Sequence, residues 1–216
     1  MDTDRKAGRR IFGGIERRDY TKGLVERMNI FFNAYNSLTN SRMDARFYQV
    51  TAPSRSDSPD YQHLNTVLEE AVSKMNAKMP GSPITRIDTG MLPPQNYRFM
   101  KEIDVMLATP LEDGMNLVAF EYMLSQKYKR PKDRGILVLS TSGASRVLKQ
   151  KGFGEVDGIV YINPLKLKDA GDKAVTALLE GRRISHRVIN YVENERRVDD
   201  WAQRNIDAIL NRQKAS

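Results

Sequence analysis

The chain has no cysteine among its 216 residues and only two histidines, His63 and His186. The first absence excludes disulfides and thiolate metal sites and suits a reducing compartment. The second leaves no paired-histidine spacing, so no metal is expected and no Ser-His-Asp arrangement can be drawn. Hydrophobic runs are short. No window approaches the ~20 apolar residues of a membrane span, and the opening MDTDRKAGRRIFGG lacks the apolar core of a signal peptide. A soluble, cytoplasmic chain without a membrane partner is expected. There is also no internal repeat and no linker-like stretch. One domain is therefore the economical reading, and a chain of this length can bury a substantial core without staples.

What is present is positive charge: 35 Lys and Arg against 27 Asp and Glu, a net charge of +8. Such an excess fits nucleic acid, a membrane surface or a phosphorylated small molecule. The densest runs are RKAGRR (5–10), KYKRPKDR (127–134) and GRRISHR (181–187). None carries the interleaved aromatics of an RNA-binding sheet motif or zinc-finger spacing, so the runs read as solvated helix ends and loops and nucleic acid is not the expected partner.

The order of elements is informative. Apolar runs predict strands at 10–15, 45–52, 84–87, 105–108, 135–140 and 158–162. Apolar residues recurring every three or four positions predict helices at 24–38 and 61–78. Pro93-Pro94 opens a short helix to 103, another runs from the DGMN motif to about 128, and TSGASRVL turns into a third. The rest is read as helical, with Trp201, Ile206, Ile209 and Leu210 as packing residues. Residues 1–9 read as a tail, and 10–212 as an α/β doubly wound, Rossmann-like domain with a parallel sheet. Such sheets bind ligands beyond the carboxyl ends of their strands, so the chemistry belongs in the loops there.

After the first strand, GIERRDYTKG (14–23) is not a dinucleotide fingerprint, because its glycine spacing is wrong. It does place Arg17, Arg18 and Lys22 before a helix start, where cations attract phosphate; a solvated basic loop is the plainer reading. After the fourth strand, TPLEDGMNLVAFEY (109–122) has Gly114 for close backbone approach and Met115, Asn116, Leu117 and Val118 at a helix start, where unpaired amides form an anion cradle. Glu121 on that helix could accept bonds from sugar hydroxyls. Equally, Asp-Gly is a common turn, Asn116 an ordinary cap and Glu121 a surface residue. STSGAS after the fifth strand either lines the same crevice or is a tight connection.

Five segments in order, ERRDYTKGLVER, VTAPSRSDSPDYQHL, TPLEDGMNLVAFEY, GILVLSTSGASRVL and VYINPLKLKDAGDKAVTALLEG, together resemble the nucleotide-sugar half of the trehalose-6-phosphate synthase family. The resemblance runs from about residue 10 to 210. It implies one half of a GT-B fold, in a retaining glycosyltransferase that joins glucose from UDP-glucose to glucose 6-phosphate without a metal. It assigns Arg17 and Lys22 to the donor diphosphate and Asp113 to the donor glucose. Gly114, Met115, Asn116, Leu117 and Val118 become the amide loop, Glu121 the ribose contact and Met91 part of the base contact. It also implies that attack comes from the same face, with the leaving phosphate taking the acceptor proton. Glu112 stands where the family often has Arg, and Phe120 where Lys is common. The family's acceptor half has no counterpart in this sequence. The expected partners are thus a nucleotide sugar, a sugar phosphate met through another domain or a separate chain, and a second copy in an oligomer. Two alternatives stay open: a non-catalytic nucleotide-sugar-binding subunit, or a sister enzyme such as glucosylglycerol-phosphate synthase. The donor base is not settled by these residues.

Overall fold

The computed structural model describes residues 1–55 and 57–195. The packing expected of Trp201, Ile206, Ile209 and Leu210 falls outside them. In chain order the elements are α1 (Asp2–Lys6), β1 (Arg10–Arg17), α2 (Leu24–Asn40), β2 (Ala45–Ala52), α3 (Pro59–Asn76), β3 (Ile84–Ile87), α4 (Pro93–Glu102), β4 (Val105–Ala108), α5 (Leu117–Ser125), β5 (Ile136–Ser140), α6 (Gly143–Gln150), β6 (Ile159–Ile162), α7 (Leu167–Leu179) and α8 (His186–Glu195). The six strands form one parallel sheet in the order β3-β2-β1-β4-β5-β6.

The period of two along each strand sorts the core into two layers. Phe12, Phe47, Val105, Leu107, Val138 and Val160 face α2, α3 and α7. Ile11, Met106, Ala108, Leu137, Leu139 and Ile159 face α4, α5, α6 and α8. Both faces are covered, which is why the strands read as continuous apolar runs.

Several boundaries differ from the sequence expectation for identifiable reasons. β1 continues past Ile15, pairing with β2 as far as Arg17 opposite Ala52, because buried Glu16 finds a cation beneath the sheet. α3 starts at Pro59, where a missing N–H costs nothing. It stops at Asn76, whose side chain bonds both the N–H and C=O of Ile84 at 2.9 Å. α5 ends at Ser125 because Gln126 turns aside, bonding the Met100 carbonyl at 3.2 Å and the Gly135 N–H at 3.0 Å. Residues 1–9 are more than a tail. α1 docks on the amino-terminal rim of the sheet, where Asp4 pairs with Arg9 at 3.0 Å and Arg46 at 3.4 Å and accepts from the Tyr48 hydroxyl. Burial first, then the Asp4 bond, pushes the Tyr48 phenol up to about 12.

Candidate functional site

In this strand order the chain winds one way from β1 through β2 to β3 and the other way from β4 to β6, so a crevice opens where the winding reverses, beyond the carboxyl ends of β1 and β4. A cleft of about 440 Å³ lies there. Arg17, Lys22, Asp113, Met115, Asn116, Leu117, Val118, Glu121 and Met91, all expected from sequence, line it. Gly114 does not line the cleft; it is exposed in the same loop.

The first loop is shaped by Asp19, whose carboxylate accepts from the Thr21 N–H at 3.0 Å and the Thr21 hydroxyl at 2.8 Å. Burial would raise the Asp19 pKa, but these donors, with Lys22 and Arg17 nearby, outweigh it and hold the carboxyl below its usual range. The short turn that results, 20–22, presents Lys22, whose Nζ lies 2.6 Å from Asp113 Oδ2, both side chains largely buried. Arg17 is exposed on the cleft wall.

The second loop is built the same way. Asp113 Oδ1 accepts from the Met115 N–H at 3.0 Å. Asn116 caps α5, its Oδ1 accepting from the Ala119 N–H at 3.1 Å. Its amide donates to Glu16 Oε1 at 2.8 Å and approaches Asp113 Oδ2 at 3.5 Å. The loops are joined: the Leu111 N–H donates to the Thr21 carbonyl at 2.7 Å, and the Glu112 N–H to the same oxygen at 3.3 Å.

The β5–α6 turn does not line the cleft; it supports the second loop. The Gly143 N–H donates to the Asp113 carbonyl at 3.0 Å. A Cβ on Gly143 would sit 1.6 Å from the Gly114 carbonyl oxygen, so only glycine permits this approach.

Sequence reasoning missed the support beneath the cleft. Arg27, on the apolar face of α2, is fully buried. It donates to Thr109 Oγ1 at 3.1 Å, Gln49 Oε1 at 3.4 Å and the Lys22 carbonyl at 3.4 Å, and its Nη2 is 3.7 Å from Glu16 Oε1. Gly14 makes room for it; a Cβ there would lie 2.6 Å from the Arg27 side chain. The signal was legible: a cation on the stripe of Leu24, Met28 and Phe31 requires a buried partner. Thr89, Gly90 and Asn96 also line the cleft beside Met91 and were not expected.

Glu121 is exposed as a residue, yet its carboxylate is crowded by the cleft wall. That desolvation, with the Glu16 charge second, raises its pKa. Glu112 is exposed and outside the cleft lining, whereas Phe120 is a core residue. His63 and His186 are exposed. Among the described residues no group of three or more His, Cys, Asp or Glu could hold a metal, and no helix is long and apolar enough to cross a membrane.

The arrangement offers two cations, a carboxylate already aligned by one of them, a helix start and a second carboxylate deeper along α5, above a floor of Ile15, Val50 and Met100. That combination suits a ligand with an anionic centre and hydroxyl-bearing ends.

The sequence is similar to the trehalose-6-phosphate synthase of Mycobacterium avium (strain 104), with 32% identity over 208 residues, 93% of this chain and 40% of that protein. The fold is similar to that of an alpha,alpha-trehalose-phosphate synthase (UDP-forming) from Burkholderia xenovorans in complex with glucose-6-phosphate. There the TM-score is 0.81 at 28% identity, over 97% of this chain and 46% of that one. It is also similar to an E. coli trehalose-6-phosphate protein bound with UDP-2-fluoro glucose, with a TM-score of 0.79 at 28% identity, over 95% of this chain and 46% of that one. The chain thus spans less than half the length of these relatives, and its sheet corresponds to one Rossmann-like half of a GT-B glycosyltransferase. The profile of Glycosyltransferase family 20 matches residues 3–211, and with fold and sequence in agreement over nearly its whole length, this chain belongs to that family.

Proposed function

We propose that this chain is the donor-binding half of a retaining glucosyltransferase that moves glucose from UDP-glucose to glucose 6-phosphate, releasing UDP and trehalose 6-phosphate. The observation that carries the reading is the convergence of Arg17, Lys22, Asp113 and the capped start of α5 on one cleft. Cleaving the anomeric carbon–oxygen bond leaves charge on the diphosphate, and Arg17, Lys22 and the loop amides supply fixed positive ends for it. Asp113, bonded to Lys22 and the Met115 N–H, is set to orient the glucose hydroxyls. Glu121 serves the ribose, and the wall from Thr89 to Met91 serves the base. In same-face attack the acceptor hydroxyl forms the new bond to the anomeric carbon, and its proton passes to the departing phosphate oxygen. No side chain then has to act as nucleophile.

The acceptor side belongs to a second domain facing this one. Leu92, Met115 and Leu117 stand exposed around the cleft, an apolar lip suited to being covered. An exposed Glu112 outside the cleft lining is the feature that favours a non-catalytic, nucleotide-sugar-binding subunit instead. A nucleotide-sugar substrate and a chain without cysteine both suit the cytoplasm.

Calorimetric titration of the full chain with UDP-glucose tests the reading. Binding should weaken about tenfold or more in Arg17→Ala and Lys22→Ala, the loss expected for a charge-assisted hydrogen bond. No heat with UDP-glucose, or affinities unchanged in both variants, refutes it. Turnover with glucose 6-phosphate by this chain alone would remove the need for a second domain.

A further inference from the structure

The three basic runs that the donor cleft leaves unused, 5–10, 127–134 and 181–187, meet at the amino-terminal rim of the sheet, opposite that cleft. There they supply six Lys and Arg side chains to the wall of a cavity of about 270 Å³, Lys101 of α4 adds a seventh, and three carboxylates face them. The carboxylates are engaged already. Glu102 lies 3.2 Å from Arg5, and Asp104 lies 3.5 Å from Arg5 while accepting the Ile11 N–H at 2.9 Å. Asp133 is held by Arg130, which does not line the cavity. Among the described residues only Arg5 of the seven cations pairs with a carboxylate, and Arg10 and Arg134 are among the six that do not.

Backbone carbonyls explain part of the gathering, one of them at the carboxyl end of α4, where a cation is favoured. Lys129 Nζ donates to the Lys101 carbonyl at 3.0 Å, Arg183 Nε to that of Lys132 at 3.2 Å, and Arg134 Nη1 to that of Ile184 at 3.3 Å. A carbonyl occupies a donor but does not neutralise a charge. Arg134 decides the matter. It is 6% exposed, lines the cavity, and its Nε has no hydrogen-bond acceptor. Burial alone, with no acidic neighbour opposing it, lowers its pKa. Arg10, the first residue of β1, also keeps a buried Nε without an acceptor. Lys129 lies in the same field: burial first pushes its ammonium down to about 8, Asp104 opposes this and Arg5 adds to it. A buried cation with an idle donor is costly to keep unless an anion completes it.

We propose that this cavity is a binding site for a phosphate group, either inorganic phosphate or a monoester on a small metabolite. A tetrahedral dianion matches paired guanidinium forks better than a single carboxylate does. A cavity of about 270 Å³ admits one phosphate with a small body, whereas a nucleic-acid backbone needs a long stripe of charge.

The test is calorimetric titration of the full chain with inorganic phosphate and with glycerol 3-phosphate, in an Arg17→Ala, Lys22→Ala background that silences the opposite cleft. Phosphate should bind in that background, and Arg10→Gln and Arg134→Gln should each weaken it about tenfold or more. Tighter binding of the ester than of phosphate marks a metabolite as the source; the reverse marks the free ion. If Arg134→Gln does not fold by circular dichroism, Arg10→Gln and the exposed Lys132→Gln carry the comparison. Loss of all phosphate binding in the background variant, or affinities that ignore these substitutions, would overturn the proposal. So would an RNA oligonucleotide competing in an Arg134-dependent manner, which would make the cavity part of a nucleic-acid surface.

Discussion

Replacing Arg27 by Met should cost about 3–5 kcal/mol of folding free energy, because it strands a buried carboxylate. Arg27 is fully buried and Glu16 is 8% exposed. At their separation of 3.7 Å and an effective dielectric of ~20, their attraction is about 4 kcal/mol. After the substitution Glu16 keeps the Asn116 amide at 2.8 Å, which satisfies an oxygen but not the charge. Glu16→Gln should cost less, since Arg27 retains its acceptors on Thr109, Gln49 and Lys22. The double variant should then be more stable than the sum of the singles implies, with a coupling of roughly 1–3 kcal/mol. For a chain of this size the Arg27→Met loss corresponds to a Tm lower by roughly 6–20 °C. Urea unfolding followed by circular dichroism measures all four proteins. Additive single effects, or an Arg27→Met chain as stable as the parent, would show that the pair is not coupled and that the cleft has other support. The same variant should bind UDP-glucose poorly, because Glu16 helps hold the side chain that caps α5.

Three further outcomes are expected. Gly143→Ala should leave the circular dichroism spectrum nearly native yet weaken donor binding, since its Cβ would displace the Gly114 carbonyl, now 1.6 Å from that position; parent-like affinity would mean that the second loop yields freely. The raised pKa of Glu121, caused by desolvation and then Glu16, means that the folded chain favours its protonated form. Its ionisation therefore lowers stability as pH rises from about 4.3, the unfolded value, through the higher folded value. Glu121→Gln should raise Tm at pH 7 and lose that advantage at pH 3; an equal shift at both would refute the assignment. Asp157 has the opposite sign: burial would raise its pKa, but bonds from Arg187, Ser185 and the Gly154 N–H lower it. Its contribution is present above about 3.9 and disappears as pH falls through the lower folded value. Asp157→Asn should thus lower Tm at pH 7 more than at pH 3 in a thermal scan.

The sequence carried most of the architecture. Strands 45–52, 84–87 and 105–108 have the bounds of β2, β3 and β4, because short segments rich in β-branched, aromatic and apolar residues, flanked by turn formers, leave little choice of ends. Misplaced ends trace to side chains that bond the backbone of another element: Gln126 on Met100 and Gly135, Asn76 on Ile84. Residues flanking the cleft were legible as loop residues beyond strand ends, and the family resemblance selected among them. Their roles came from that resemblance, since spacing alone left both loops open to plainer readings. Arg27 was less visible because its partners, Glu16, Gln49 and Thr109, sit on three different strands or loops. The cavity at the opposite rim was hidden for the same reason: no single basic run differs from a solvated helix end until folding brings three together.

The carbonyl of Thr21 takes bonds from both Leu111 and Glu112, so the cation-bearing turn and the amide-bearing turn behave as one mechanical part. Lengthening either would shear the other. Among the described residues no hydrogen bond ties the stretch from Thr89 to Met91 to that part; the Thr89 hydroxyl reaches the neighbouring Gly90 carbonyl at 3.2 Å. Anyone seeking to re-engineer this scaffold for a different donor therefore has a natural division of labour. The fused turns form a fixed jaw to be left intact, and the opposite wall is a cassette that can be exchanged without disturbing it.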